Sequence, residues 1–458
     1  VRKVDAATGK LLWDDSVAAL LTDPGATPLS GYASRTTPVV VGNLVIFGTM
    51  RQVPEIITSP AVGAFLVAVD KGTGAFQWKI PLHGGNPAAI ITGSPVVDGN
   101  MLYIGVSSLE EVFAGLSPGY SCCSFRGSVA AVNVSKASIV WQTPTISDAV
   151  YYAPPGGLGS DGGSGDGGAS ALSGYAGNAV WSSTPVIDRK LGQIYVTTGQ
   201  NYKVPDGAQE KIDGNRYDAI MALDLSTGAV KWSQSFGDGT DIWTFGSMSG
   251  PDADFGAGAN LFTAVINGTS TDLVGAGQKN GVYWAVDART GSTVWHTQVG
   301  PGGHLGGVHW GTATDGIRVY VGVNNESGTP FMLGGTGPSA GKMTKSGAWA
   351  ALDPANGHIL WQIADPAMSG PLNGATVNGP VTVVNGVLFG GSMDAKGTMF
   401  ALDASTGNVL WSFKSGATVY GGPAVSNGVV YWGSGYPSAR LQFGTLGVQE
   451  LFAFQIAN

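Results

Sequence analysis

The chain holds two cysteines, Cys122 and Cys123, side by side in the stretch SPGYSCCSFRGS at 117–128. A disulfide normally joins Cα atoms about 4.4–6.8 Å apart. Adjacent Cα atoms lie at roughly 3.8 Å across a trans peptide and 2.9 Å across a cis one. A ring closed between the two would be small and stiff. It would close no loop, and so could not stabilise the fold through chain entropy. Its use would be local, as a rigid platform or a redox-sensitive corner. The alternative is a pair of reduced, packed thiols. The histidines His83, His296, His304, His309 and His358 show no metal-binding spacing. Asp161 and Asp166 lie in a glycine-rich run, PPGGLGSDGGSGDGGAS at 154–170, which resembles half of a nonapeptide Ca²⁺ repeat. No strand-to-helix phosphate motif precedes the run, and it reads as a loop insertion.

Composition narrows the surroundings of this chemistry. Lysine and arginine total 23 against 31 acids, for a net charge of −8, and only 12% of residues are charged. That excludes the basic footprint of a nucleic-acid binder. Three N-x-S/T sequons, at Asn133, Asn267 and Asn325, fit a secreted glycoprotein. An extracellular or periplasmic location is therefore expected, and an oxidising compartment favours the ring. No run of 18 apolar residues is present, so no membrane span is expected. The sequence shows no signal peptide, so the expectation is that residues before Val1 were removed or lie outside it.

The elements that must position these residues come from one repeated unit. A segment of the form ALDxxTGxxxW ends at Trp13, Trp78, Trp141, Trp232, Trp295, Trp361 and Trp411, with intervals of 50 to 91 residues. That is the scale of propeller blades. The alternating apolar run is a strand. Asp-x-x-Thr-Gly is a tight turn in which Asp accepts backbone amides and Gly takes positive φ. The copy ending at Trp141 has lost the Asp and the Thr-Gly. Most copies follow a second hairpin, as in TPVVVGNLVIFG, SPVVDGNMLYIG and GPAVSNGVVYWG. Two hairpins make a four-stranded blade, and the recurring Trp is read as a wedge between blades.

The counting gives an all-β fold, an eight-bladed propeller in one domain over 1–458. Both ends look incomplete: Val1 to Trp13 lacks an upstream hairpin, and LFAFQIAN at 451–458 supplies a third strand without a fourth. Seven blades closed by a shared strand is the alternative. The entries of the inner strands are SRTTP (34–38), TGSP (92–95), VWSSTP (180–185), HWGT (309–312) and YGGP (420–423). They are expected to gather Arg35, Trp181, His309 and Trp310 at one mouth, the default ligand site.

The repeat resembles the propellers of quinoprotein alcohol dehydrogenases, which hold pyrroloquinoline quinone (PQQ) and Ca²⁺. The repeat alone is shared with an outer-membrane assembly lipoprotein that carries no cofactor. The segments GVSSLEE, SCCSFRGS, GNAVWSS, GPDADFG and LGGVHWG are more discriminating and look like the polyvinyl-alcohol dehydrogenase branch. The resemblance implies PQQ- and Ca²⁺-dependent oxidation of secondary alcohols or polyols, small or polymeric. No CxxCH haem site is present, so it implies a separate electron acceptor such as a cytochrome c.

Carried over motif by motif, the resemblance puts Glu111 of GVSSLEE, with Glu110 beside it, at the Ca²⁺ ligand position. YVTTGQN supplies Gln200 at the second ligand position and Asn201 one later. All offer the hard oxygen donors Ca²⁺ requires. Trp181, outside the recurring series, matches the indole that stacks on the quinone. Lys279 of GQKNG matches the cation on its oxygens, and Arg35 and Arg126 join the cofactor-binding set with Cys122, Cys123, His309 and Trp310. Two departures stand out. The cysteine pair follows Glu111 by eleven residues instead of preceding it by a blade. The general-base aspartate aligns with Thr244 of DIWT, leaving Asp241 and Asp254 as the base candidates. That loss supports the rival class, a cofactor-free extracellular propeller acting as a binding or structural scaffold. A glycoside hydrolase would need two carboxylates about 5–9.5 Å apart, which a sequence does not display.

Overall fold

The computed structural model describes residues 1–27, 29–51, 63–116, 119–152, 174–181, 184–245, 252–367, 376–435 and 449–455. The glycine-rich run at 154–170 lies outside them. The chain divides into two compact units, Val1–Gly250 and Pro251–Asn458.

The first unit contains three sheets of blade type. The first is built from Val39–Val41, Leu44–Gly48, Phe65–Asp70 and Phe76–Pro81, paired antiparallel in that order. The second uses Val96–Asp98, Met101–Ser108, Ser128–Asn133 and Ser138–Pro144, with Ala89–Ile90 added beside Ser107 and Ser108. The third uses Val186–Asp188, Gln193–Thr197, Ala219–Asp224 and Val230–Ser235. The second unit holds three more four-stranded sheets, starting at Asn260, Ala313 and Thr382, and a seventh of three strands, Ala424–Ser426, Val429–Gly433 and Leu451–Gln455.

The expected eight blades are thus seven among the described residues. The N-terminal copy forms only the hairpin Arg2–Val4 with Leu11–Asp14, which pairs with no further strand among the described residues. Repeat counting credits a two-strand remnant as a blade, whereas a blade needs the ladder of a second hairpin. The remnant instead docks on the first sheet, with Trp13 Nε1 donating to Lys71 O at 3.3 Å.

The repeated turn forms as its chemistry dictates. Asp70 Oδ1 accepts the N–H groups of Gly72 and Thr73, both at 2.8 Å, and Gly74 follows at φ +81°. In the altered copy Asn133 Oδ1 accepts Lys136 N at 3.0 Å, and Ala137 carries φ +48° where the other copies have glycine. In the six four-stranded sheets the tryptophan lies opposite an alanine of the preceding strand: Ala68↔Trp78, Ala131↔Trp141, Ala222↔Trp232, Ala285↔Trp295, Ala351↔Trp361 and Ala401↔Trp411, whereas Trp13 of the N-terminal hairpin lies opposite Lys3. The small residue leaves room for the indole.

The wedge reading holds inside each unit. Trp141 Nε1 reaches Leu225 O of the next sheet at 3.4 Å, Trp295 reaches Pro354 O at 2.9 Å, and Trp361 reaches Ala404 O at 3.0 Å. Each such bond contributes about 1 kcal/mol. The turn glycines of the receiving sheets are required by the approach: a Cβ on Gly407 would sit 2.5 Å from Trp361 Cε3. No helix among the described residues is long and apolar enough to cross a membrane.

Candidate functional site

In the first unit, the strand Met101–Ser108 runs directly into the helix Glu110–Leu116. The Ser108 hydroxyl accepts Glu110 N at 2.9 Å, and two carboxylates fall in the first turn, where the helix dipole favours them. Both acids are buried, Glu110 fully and Glu111 to 5% exposure. Neighbours on a helix point apart, and the two carboxylates do different things.

Glu110 organises the cysteine loop. Its Oε1 accepts Tyr120 OH and Ser124 N, each at 2.8 Å, and its Oε2 accepts Phe125 N at 2.6 Å. Burial and the adjacent carboxylate push the Tyr120 phenol up, so it remains a donor. Cys122 and Cys123 form a disulfide across a cis peptide, with Cα atoms 3.1 Å apart. Lys203 Nζ donates to Cys122 O at 3.4 Å, and Tyr151 OH donates to Ser124 O.

Glu111 instead faces Gln200, whose Nε2 donates to Glu111 Oε2 at 3.2 Å. Asn201 turns elsewhere: its Nδ2 donates to Glu210 Oε1 at 3.0 Å. Its own oxygen accepts from Asn178 when that amide is oriented to satisfy its neighbours. Of the two expected amide ligands, the structure therefore brings Gln200 to Glu111 and gives Asn201 to Glu210. Glu210 has no motif of its own and was not legible in the sequence. Burial pushes its carboxyl up to about 7.

The segment carrying Asp241 and Thr244 crosses this place. Trp243 N donates to Asn201 O at 3.2 Å and Phe245 N to Glu111 O at 3.2 Å. Thr244, 7% exposed, is thus bracketed between the two backbones, at the position where the family motif has its aspartate. Asp241 is fully buried on the same segment.

Trp181 is partly buried. Its backbone oxygen accepts Thr92 Oγ1 at 3.0 Å, while its Nε1, shielded from solvent, has no hydrogen-bond partner among the described residues. Trp181 and Cys123 both pack against the hydrophobic cluster that contains Phe125, Ala179 and Tyr202. Arg35 is half-buried on the approach to the first sheet. Arg126 points to a different place: Nη1 donates to Ile146 O at 3.1 Å and Asp148 Oδ1 at 2.6 Å, and the guanidinium lies over the ring of Tyr151.

The second unit has its own charged cluster. The buried Lys279 ammonium lies 2.7 Å from Asp254 Oδ2 and 3.2 Å from Asp252 Oδ2. His304 Nδ1 lies 3.5 Å from Asp252, whose hydrogen bond raises the imidazole's pKa. Asp252 and His304 were not singled out from sequence, although Asp252 sits in the same GPDADFG segment as Asp254. His309 stacks on Trp310 with ring centroids 4.5 Å apart, and Trp310 Nε1 donates to Tyr420 OH at 2.9 Å. Among the described residues no group of three or more His, Cys, Asp or Glu side chains could hold a metal.

The fold and these motifs make the chain a β-propeller of the quinoprotein alcohol dehydrogenase type. Residues 126–312 match the family model described as the β-propeller domain of glucose/ethanol/alcohol dehydrogenases, and residues 345–440 match that of the outer membrane protein assembly factor BamB. The chain is 30% identical over 410 residues to a polyvinylalcohol dehydrogenase of Sphingopyxis sp. (strain 113P3), covering 82% of this chain and 57% of that one. It is 31% identical over 405 residues to a polyvinylalcohol dehydrogenase of Pseudomonas sp., with the same coverage. The chain thus spans a little over half the length of these relatives. Solved structures share the fold. The quinohemoprotein alcohol dehydrogenase of Comamonas testosteroni superposes with a TM-score of 0.63 at 17% identity, covering 93% of this chain and 75% of that one. Quinohemoprotein alcohol dehydrogenase ADHIIG of Pseudomonas putida HK5 superposes at 0.62 and 18% identity, covering 94% and 66%.

Proposed function

We propose that the protein oxidises secondary alcohols or polyols with PQQ and Ca²⁺ and hands the electrons to a separate acceptor, such as a cytochrome c. The observation that carries this reading is the convergence in the first unit. Glu111 meets Gln200 across 89 residues of chain, while Glu110 on the same helix clamps the disulfide loop. Polyvinylalcohol dehydrogenases among the relatives support an alcohol substrate.

The residues present fit the two groups. A buried carboxylate against a buried primary amide is a hard-oxygen donor set of the kind Ca²⁺ takes. The Trp181 indole, with an N–H that no described protein group satisfies, and the Cys122–Cys123 disulfide supply flat surfaces for an aromatic ring system. When bound, PQQ with Ca²⁺ supplies a polarised carbonyl able to accept hydride from an alcohol carbon. Glu111 and Gln200 would hold the cation. Glu110 keeps the disulfide fixed, so that no loop ordering accompanies binding. The alcohol's hydroxyl proton must go to a carboxylate. Asp241 is favoured for that role, because it is buried on the segment whose Trp243 and Phe245 amides reach Asn201 and Glu111. The disulfide suits an oxidising compartment, extracellular or periplasmic.

A second reading, a cofactor-free scaffold, is favoured by Thr244 and by the assembly-factor model matched at 345–440. Reconstitution separates the two. Purified protein given PQQ and Ca²⁺ should reduce an artificial dye with 2-butanol or a diol, and lose that activity when either addition is withheld. A protein that reduces no dye with any alcohol, under conditions that load a known quinoprotein, is the scaffold.

A further inference from the structure

A cleft of about 290 Å³ lies in the first unit on residues the proposed chemistry leaves unused. It shares Ser124 and Phe125 with the cysteine loop and is walled by Asn86, Arg126, Gln142, Tyr151 and Tyr152. Its walls are fixed before any ligand arrives. Arg126 is held by Ile146 O and Asp148 and lies against two aromatic rings, with its guanidinium carbon 4.5 Å from the Tyr151 centroid and 5.3 Å from that of Tyr152. Tyr151 and Tyr152 meet edge to face at 5.0 Å, and Tyr151 OH is tied to Ser124 O. Asn86 Nδ2 donates to Ser124 Oγ at 3.3 Å.

The chemistry left over is that of a neutral hydroxylated ligand. Asp148 neutralises the guanidinium, so the cleft offers no net charge to select an anion. Among the described residues both hydrogen bonds of that guanidinium use Nη1, leaving Nε and Nη2 as donors. Gln142 is exposed and spends its Nε2 on Leu82 O and Ser128 Oγ, leaving its Oε1 as an acceptor. Tyr152, 44% exposed, offers an aromatic face to C–H groups. Donor, acceptor and apolar ring alternate within one small cleft, as a chain of C–H and O–H groups requires. A cleft this size takes a segment of such a chain, not its whole length.

We propose that this cleft is a second binding site, taking a segment of a neutral polyhydroxylated chain and so holding polymeric alcohols beside the cysteine loop. The ligand chemistry stands on the cleft alone. Its role in feeding substrate rests on the alcohol-oxidising reading above.

The test uses the full chain and short vinyl-alcohol oligomers as the probe, by calorimetry without PQQ or Ca²⁺. Oligomers should bind, and Tyr152→Ala and Gln142→Leu should each weaken binding about tenfold, the size expected for one lost contact or hydrogen bond. Glu111→Gln should leave binding unchanged. In loaded enzyme, the same two cleft variants should raise KM for the oligomer about tenfold and leave kcat, and the KM for 2-butanol, as they were. No oligomer binding by the wild type, equal binding by both cleft variants, or an equal shift in the 2-butanol KM would each overturn the proposal. If the loaded protein oxidises nothing, the enzymatic reading fails, and the calorimetry still decides the cleft.

Discussion

Glu110 Oε2 accepts the backbone N–H of Phe125 at 2.6 Å, so the carboxylate next to the candidate Ca²⁺ ligand is the clamp of the loop that carries the disulfide. Adjacent acids on one short helix therefore divide the work, one structural and one facing Gln200.

The division is testable by paired substitution. Glu110→Gln should weaken the charge-assisted bonds to Ser124 N and Phe125 N and lower stability by about 2 kcal/mol. Glu111→Gln should leave the denaturant midpoint of Ca²⁺-free protein nearly unchanged and remove the stabilisation that added Ca²⁺ gives. Equal losses of stability in the two variants would contradict the assignment.

Thr244 is bracketed by Trp243 N on Asn201 O and Phe245 N on Glu111 O. Thr244→Asp should therefore place a carboxylate beside Glu111 and tighten Ca²⁺ binding by about tenfold, measured by titration calorimetry. An unchanged affinity would mean that the side chain at this position points away from Glu111.

The wedge of Trp361 on Gly407 can be separated from backbone strain. Gly407 and Gly416 both carry positive φ, +74° and +85°, but only Gly407 has an indole against its Cα. Gly416→Ala should cost about 1 kcal/mol through strain alone, and Gly407→Ala should cost about 1–3 kcal/mol more through overpacking. Urea unfolding of the two variants checks the difference; equal losses would remove the wedge.

Burial, with Asp394 nearby, pushes the Asp365 carboxyl up to about 7. Its unfolded value is about 3.9. A group raised on folding contributes stability that is fully present below the lower value and lost as pH rises through the upper one. Wild-type stability should thus fall between about pH 4 and pH 7, and Asp365→Asn, which keeps an acceptor for Ala367 N, should flatten that fall. Thermal unfolding across this range checks it; parallel curves would contradict it.

The sequence displayed the parts whose signals are local. The Asp-x-x-Thr-Gly turn, the tryptophan after it and the hairpin upstream can each be read within about a dozen residues, and the sheets follow them. The blade number could not be read that way, because the N-terminal hairpin looks like half a blade until its missing ladder is seen. The site divided along the same line. Glu111 and Gln200 came from motifs, and the structure pairs them. Choosing between Glu110 and Glu111, or between Gln200 and Asn201, depends on which way neighbouring side chains point, and that is set by packing. Glu210, Asp252 and His304 carry no local pattern. Arg126 was expected on the cofactor, yet its partners Asp148, Tyr151 and Tyr152 lie past the end of the strand Ser138–Pro144 and only the fold brings them together.

The most direct test of the central claim is equilibrium binding of PQQ to the purified protein, with and without Ca²⁺, followed by absorbance of the retained quinone and quenching of tryptophan fluorescence. The account predicts one quinone held per chain only when Ca²⁺ is present, with retention lost in Glu111→Gln and quenching reduced in Trp181→Phe. Retention indifferent to Ca²⁺ and to Glu111, or no retention at saturating concentrations of both, would contradict it.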